Sequence, residues 1–123
     1  MKDLPEIKES LTKIYDISLS PVRANALAAG VEIKIFDQLK TPVSAKSIAE
    51  KYGYNTKMTE EFLNVLTSCG LLEKTNGEYI NRPETEQFLV SDNPTYYGKI
   101  LLREYHRISM LSLIHISEPT RPY

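Results

Sequence analysis

The side chains most able to do chemistry in this sequence are two histidines and one cysteine. His106 and His115 stand far from Cys69, and none of the three has a partner at metal-ligand spacing. Ser112 lies near His115, but no acid is placed to orient the pair as a nucleophile and base. The sequence therefore predicts neither a metal site nor a hydrolytic site, and we assign no catalytic residue.

Carboxylates and phenols offer weaker possibilities. Glu60 and Glu61 are adjacent, so on a helix they point about 100° apart and do not form an acid-base pair. Cys69 falls on an apolar helical stripe, where a free cysteine is usually a small buried residue. Three tyrosines could line an aromatic pocket beside a following domain, or could pack in a core or interface: Tyr96, Tyr97 and Tyr105.

The overall composition is that of an ordinary globular protein. The 123 residues are 41% hydrophobic and 25% charged, with a formal net charge of -1, which gives no general attraction for nucleic acid. The single cysteine suits a reducing compartment. No apolar run approaches the roughly 18 to 20 residues of a membrane span, and the polar N-terminus is unlike a signal peptide. We expect a cytoplasmic protein that does not enter a membrane.

The middle of the chain, residues 41–82, predicts two short helices followed by a β-hairpin. Ser44 and Asn55 are good N-caps for the helices, and Gly53 and Gly70 mark their ends. In the second helix a buried stripe is expected at Phe62, Val65, Leu66 and Cys69. Asn76-Gly77 is typical of a type I′ hairpin turn. This order is that of a winged helix, so the expected fold is mainly α: a helix-turn-helix plus β-hairpin, with additional N- and C-terminal helices.

Two amphipathic or apolar helices are predicted before this unit. The first carries Leu4, Ile7, Leu11 and Ile14 at three- and four-residue steps. The second begins at Ser20-Pro21, runs to Leu39 with Leu27 and Val31 among its apolar residues, and contains Gly30 at a bend or a close approach. Their surplus apolar surface fits either a dimer interface or packing on the winged helix, and both readings stay open. For an interface, the candidate residues are Leu4, Ile7, Leu11, Ile14, Leu27 and Val31.

Two further helices are expected after the hairpin. A short one opens at Pro83, and a turn cluster follows at residues 91–94. The last helix should run from Pro94 to about Ile108.

Three segments carry a resemblance to a known family: ANALAAGVEIKIFDQL, SAKSIAEKYGY and EEFLNVLTSCGLLEKTNGEYI. They resemble the N-terminal dimerisation region of S-adenosylmethionine-dependent O-methyltransferases over roughly residues 20–107. The resemblance implies a homodimer, and in an intact enzyme it implies methyl transfer to a hydroxyl of a small, aromatic acceptor. Lys34 departs from the family, which often has glycine at this position.

The donor-binding half of such an enzyme is not recognisable in this sequence. It requires a strand that ends in a glycine-rich turn and a later acidic residue for the ribose. The five glycines of this chain are too far apart to form that turn. We therefore expect no S-adenosylmethionine bound by these residues, and we expect this fragment to be inactive by itself.

The last segment, Leu111–Tyr123, resembles a translated sequencing adapter in its LSLIHISEPTR stretch. We interpret residues 1–110 as the dimerisation domain and residues 111–123 as a non-native tail.

A DNA-binding winged-helix regulator is the alternative function. Such a protein needs surplus Lys or Arg on its recognition helix and wing. Residues 41–82 balance five basic side chains with five glutamates, and Glu60 and Glu61 stand on the presumed recognition helix. This balance disfavours binding to nucleic acid.

Overall fold

The computed structural model describes the backbone of residues 9–116 and the side chains of residues 9–108. It is mainly helical, with one small antiparallel sheet. The helices are α1 (Thr12–Glu32), α2 (Ala45–Tyr52), α3 (Thr56–Ser68), α4 (Pro83–Leu89) and α5 (Gly98–Ile116), and a 3-10 helix spans Ile35–Gln38. The strands are β1 (Val43–Ser44), β2 (Leu72–Thr75) and β3 (Glu78–Asn81).

Helix α1 begins at Thr12, so residues 9–11 of the first predicted helix are not helical. It then runs through Ser20-Pro21, so the second helix start expected there is wrong. Pro21 lies inside α1, where it lacks an N–H for the carbonyl of the preceding turn. Nearby, the hydroxyl of Ser18 donates to the carbonyl oxygen of Tyr15 at 2.6 Å. The proline therefore removes one backbone hydrogen bond without ending the helix.

The end of α1 also differs from the prediction, which carried the helix to Leu39. Lys34 has a φ of 58° and breaks the α-helix, and Ile35–Gln38 continues as a 3-10 helix. The change of direction at Lys34 places the Phe36 ring against Gly30. A Cβ added at Gly30 would lie 3.0 Å from this ring. Gly30 therefore permits a close approach.

Helices α2 and α3 begin where their capping residues predicted. The backbone N–H of Ser47 donates to Ser44 Oγ at 3.1 Å, and that of Met58 donates to Asn55 Oδ1 at 2.9 Å. The buried stripe of α3 is rotated from the prediction, because Leu63 and Leu66 are its fully buried apolar residues. Cys69 is half-buried.

The sheet has the strand order β1-β3-β2 and is antiparallel throughout. Asn76 and Gly77 have φ values of 52° and 77°, as the predicted hairpin turn requires. Strand β1 was not predicted, because two residues are too short to show a pattern. It pairs Val43 with Tyr79 and so fixes the hairpin beside α2.

A single core lies between the sheet, α1, α2, α3 and α4. Its fully buried side chains include Tyr79, Phe36, Leu39, Leu63 and Leu66. The Tyr79 hydroxyl reaches the rim of this core and donates to Asn64 Oδ1 at 2.6 Å.

The C-terminal helices close the fold. Helix α4 begins at Pro83 as predicted, whereas α5 begins at Gly98 rather than Pro94. The turn before α5 is held by Tyr96, whose backbone N–H donates to the Asn93 carbonyl oxygen at 2.9 Å. A Cβ at position 98 would overlap the Tyr96 hydroxyl, so any larger residue there would require the Tyr96 ring to move.

Candidate functional site

Several large apolar side chains are exposed where α1 begins. Leu11, Ile14 and Tyr15 are 68%, 67% and 57% exposed, and residues 11–18 are all exposed. A helical segment this short is not stable alone in water. A stretch with this much apolar surface is typical of a site that contacts another protein.

The C-terminal half of α1 packs within the chain. Ala28, Gly30 and Val31 are buried, and Tyr105 on α5 donates a hydrogen bond to Asn25. Among the six candidate interface residues, Val31 is thus a core residue with 2% exposure, and Leu27 is half-buried. Leu11 and Ile14 lie together on the exposed half, while Leu4 and Ile7 fall outside the described residues.

An apolar groove lies at the opposite end of α1, which we call the α3 groove. It has a volume of about 280 Å³ and is lined mainly by Ile33, Ile35, Tyr54, Met58 and Phe62. Met58 is 68% exposed. No single stretch of the sequence indicates this groove, because its lining residues come from three separate segments.

The segment that forms one wall of the α3 groove is anchored from behind. The backbone N–H of Ser91 donates to Asp37 Oδ1 at 2.8 Å, and the Ser91 hydroxyl donates to Asp37 Oδ2. Lys40 and Asp92 form an ion pair at 2.8 Å beside them. These contacts connect the 3-10 helix to the loop before α5 and hold the groove wall in place.

The tyrosines considered in the sequence analysis are dispersed. Tyr97 is exposed beside a second cleft of about 340 Å³ that also involves Phe88 and Leu101, and Tyr105 contacts α1 through Asn25. Tyr96 is half-buried, and desolvation with the nearby Asp37 carboxylate raises the pKa of its phenol. The three side chains do not converge on one pocket.

The other candidate groups also stay apart. His106 stacks edge-on with Tyr105 at 5.7 Å between ring centroids, while Cys69 ends α3. Within residues 9–108, no three His, Cys, Asp or Glu side chains are grouped to hold a metal ion.

A binding site for S-adenosylmethionine does not fit the residues that the structure describes. The glycines with positive φ are Gly53, Gly70 and Gly77. The first two follow helices and the third turns the hairpin, so none forms a strand-to-helix loop around a ligand. We derive no methyl-transfer step from these residues.

The exposed side of α3 and the hairpin do not form a cationic surface. Glu60 and Glu61 are exposed beside Lys57. On the hairpin, Lys74 Nζ donates to Asn64 Oδ1 at 3.1 Å, and Arg82 pairs with Glu73 at 3.8 Å. This surface lacks the excess positive charge that phosphate contacts require.

Comparison with known families decides between the two functions. Residues 15–91 match the O-methyltransferase dimerisation domain. The chain belongs to this family. Its apolar α1 is therefore part of a dimerisation domain, and the family assignment favours the methyltransferase function over the DNA-binding regulator.

Two enzymes and one solved structure illustrate the similarity. The chain is 28% identical over 88 residues to 3-hydroxy-5-methyl-1-naphthoate 3-O-methyltransferase of Streptomyces sahachiroi, covering 71% of this chain and 26% of the enzyme. It is 32% identical over 77 residues to the S-adenosyl-L-methionine-dependent methyl transferase PigF of a Serratia species, covering 62% and 22%.

The structural comparison shows the same fold. An O-methyltransferase family protein from Burkholderia thailandensis superposes with a TM-score of 0.76 at 22% identity, covering 89% of this chain and 33% of that one. The chain thus spans about a quarter of the two similar enzymes and a third of this structure. The catalytic domain of such enzymes has no counterpart in residues 9–116. None of the helices in that range is long and apolar enough to cross a membrane.

Proposed function

We propose that residues 1–110 form the winged-helix dimerisation and substrate-capping domain of a small-molecule O-methyltransferase, and that residues 111–123 are a non-native tail. The order α2, turn, α3 and β-hairpin supports the winged-helix description, with β1 as the third strand. Helix α5 continues past Met110 to Ile116, so the proposed boundary lies within a helix.

The proposed partner is a second copy of the same chain. The observation that carries this proposal is the exposed apolar half of α1 within a dimerisation domain. Leu11 and Ile14 supply its centre. Leu4 and Ile7 are proposed as further interface residues from their sequence spacing alone. Leu27 lies about 160° around the helix from Leu11 and packs against the chain's own core. Val31 has no part in the proposed interface because it is buried in the chain's own core.

In the intact enzyme, we propose S-adenosylmethionine as the donor and a small aromatic alcohol or phenol as the acceptor. The named activities of the similar proteins from Streptomyces and Serratia support this chemistry. This domain would contribute one wall of the acceptor pocket, while a separate domain would hold the donor. The cytoplasm remains the predicted compartment, on the basis of the single cysteine.

The interface is tested by placing a charge on α1. Each dimer would bury two copies of Leu11, and burying a leucine contributes about 1.5–3 kcal/mol. Leu11→Lys should therefore raise the dimer dissociation constant by about a hundredfold or more. The measurement is sedimentation equilibrium over a dilution series.

Ser20→Lys is the matched control. Ser20 is exposed on α1, and nine residues from Leu11 it lies about 180° around the helix. It should leave the dissociation constant nearly unchanged. An equal effect of the two lysines would refute an interface through Leu11.

A further inference from the structure

One stripe of α1 continues from its exposed N-terminal half over its packed half. Leu11, Tyr15, Ser18, Val22 and Ala29 are all exposed, and their spacings of three, four and seven residues keep them within an arc of about 60° around a helix. This spacing is the heptad spacing of helices that pack side by side. The stripe is therefore shaped to receive another helix.

The stripe ends at the α3 groove. Ile33 follows Ala29 by one turn, is 45% exposed, and lines that groove. At 1.5 Å per residue, Ile33 lies about 33 Å from Leu11 along the helix direction. The exposed apolar end of α1 and the apolar α3 groove are thus at opposite ends of the same stripe.

We propose that the α1 helices of two copies pack antiparallel, with the two-fold axis at Val22 and with Leu11 of each copy seated in the α3 groove of the other. This inference rests on the dimerisation function proposed above and specifies how the two copies meet. It is an isologous arrangement, in which each copy supplies both the helix end and the groove.

The dimensions of α1 support an axis at Val22. Val22 is the midpoint of Thr12–Glu32, so positions equally far from it on either side lie opposite each other. Tyr15 then faces Ala29, which pairs a large side chain with a small one. Leu11 faces Ile33, which places it at the groove.

Reach favours the same arrangement. Parallel packing would leave Leu11 about 33 Å from either groove along the helix direction. Antiparallel packing instead brings Leu11 alongside the groove of the other copy.

Cysteine cross-linking tests the axis directly. In a Cys69→Ser background, Val22→Cys should form a disulfide-linked dimer when it is oxidised with copper phenanthroline, because its two copies meet on the axis. Tyr15→Cys should cross-link at least tenfold less by itself, since its two copies would be about 21 Å apart. Mixed with Ala29→Cys, however, it should give the linked heterodimer.

The groove is tested by a charge at its rim. Met58→Asp should raise the dimer dissociation constant at least tenfold, whereas Lys57→Asp, one position away and also exposed, should change it less than threefold. Circular dichroism confirms that each variant is folded, because both side chains are at the surface.

The outcomes separate this inference from the proposed function. Equal self-linking by Tyr15→Cys and Val22→Cys would indicate parallel helices and overturn the proposal. A dimeric protein whose Val22→Cys variant does not cross-link, or whose Met58→Asp variant dimerises normally, would overturn the proposed geometry while leaving dimerisation intact. A wild-type chain that is monomeric would contradict both the proposed geometry and the proposed dimerisation.

Discussion

Replacing Lys34 with glycine should stabilise the protein. Lys34 has φ 58° and ψ 39° between α1 and the 3-10 helix, a left-handed conformation that costs a residue with a Cβ about 1–2 kcal/mol. Glycine removes that cost, but it also makes the unfolded chain more flexible, which lowers the stability of the folded state by about 0.5–1 kcal/mol. The net expectation for Lys34→Gly is about 0.5–1 kcal/mol more stability, or roughly 2–8 °C in Tm.

Lys34→Ala separates the backbone effect from the loss of charge. Alanine keeps the Cβ, so it should show little of the stabilisation, and Lys34 has no ion pair among the described residues that either variant would break. The assay is urea unfolding at 25 °C followed by circular dichroism. A glycine variant no more stable than the alanine variant would refute the assignment of backbone strain to this position.

Three further predictions concern the core and the pH dependence. Gly30→Ala should cost about 1–3 kcal/mol in urea unfolding, because the new Cβ would press on the Phe36 ring at 3.0 Å; an unchanged midpoint would contradict this packing. Tyr79→Phe should cost about 1 kcal/mol by removing the hydrogen bond to Asn64, and a neutral result would mean that this bond contributes nothing net. Because desolvation raises the pKa of Tyr96 in the folded state, its contribution to stability should be complete below pH 10 and decline as the pH rises through the folded-state pKa. Tyr96→Phe should therefore flatten the alkaline decline in the free energy of unfolding, and identical pH profiles would contradict the shift.

Local sequence signals predicted the parts of the fold that neighbouring residues determine. Ser44 and Asn55 cap their helices through a bond to a backbone N–H three residues later, and Asn76-Gly77 supplies the two positive φ angles of the hairpin. Each of these features needs only a few consecutive side chains, so the sequence was sufficient.

Features that depend on distant contacts were missed or misplaced. Ser20-Pro21 predicted the start of a new helix, because this pair is a local start signal. In the structure α1 continues through Pro21, and residues 26–31 pack its C-terminal half against the core. Strand β1 exists only because β3 pairs with it. The α3 groove joins residues from the end of α1, the 3-10 helix and α3, so no single stretch could indicate it.

One signal in the sequence did mark the position that was mispredicted. In the O-methyltransferase family that this sequence resembles, glycine is frequent at the position of Lys34. Glycine readily adopts the positive φ that this position requires. That positive φ breaks the helix, which explains why α1 stops at Glu32 and does not continue to Leu39 as predicted.

The central claim is that this chain is built to bind a second copy of itself, and its molar mass in solution tests that claim most directly. Light scattering on the unmodified chain at high micromolar concentration should give the mass of two chains, each of 14.0 kDa, with a decline towards one chain on dilution. A strictly monomeric mass at every concentration would contradict the claim.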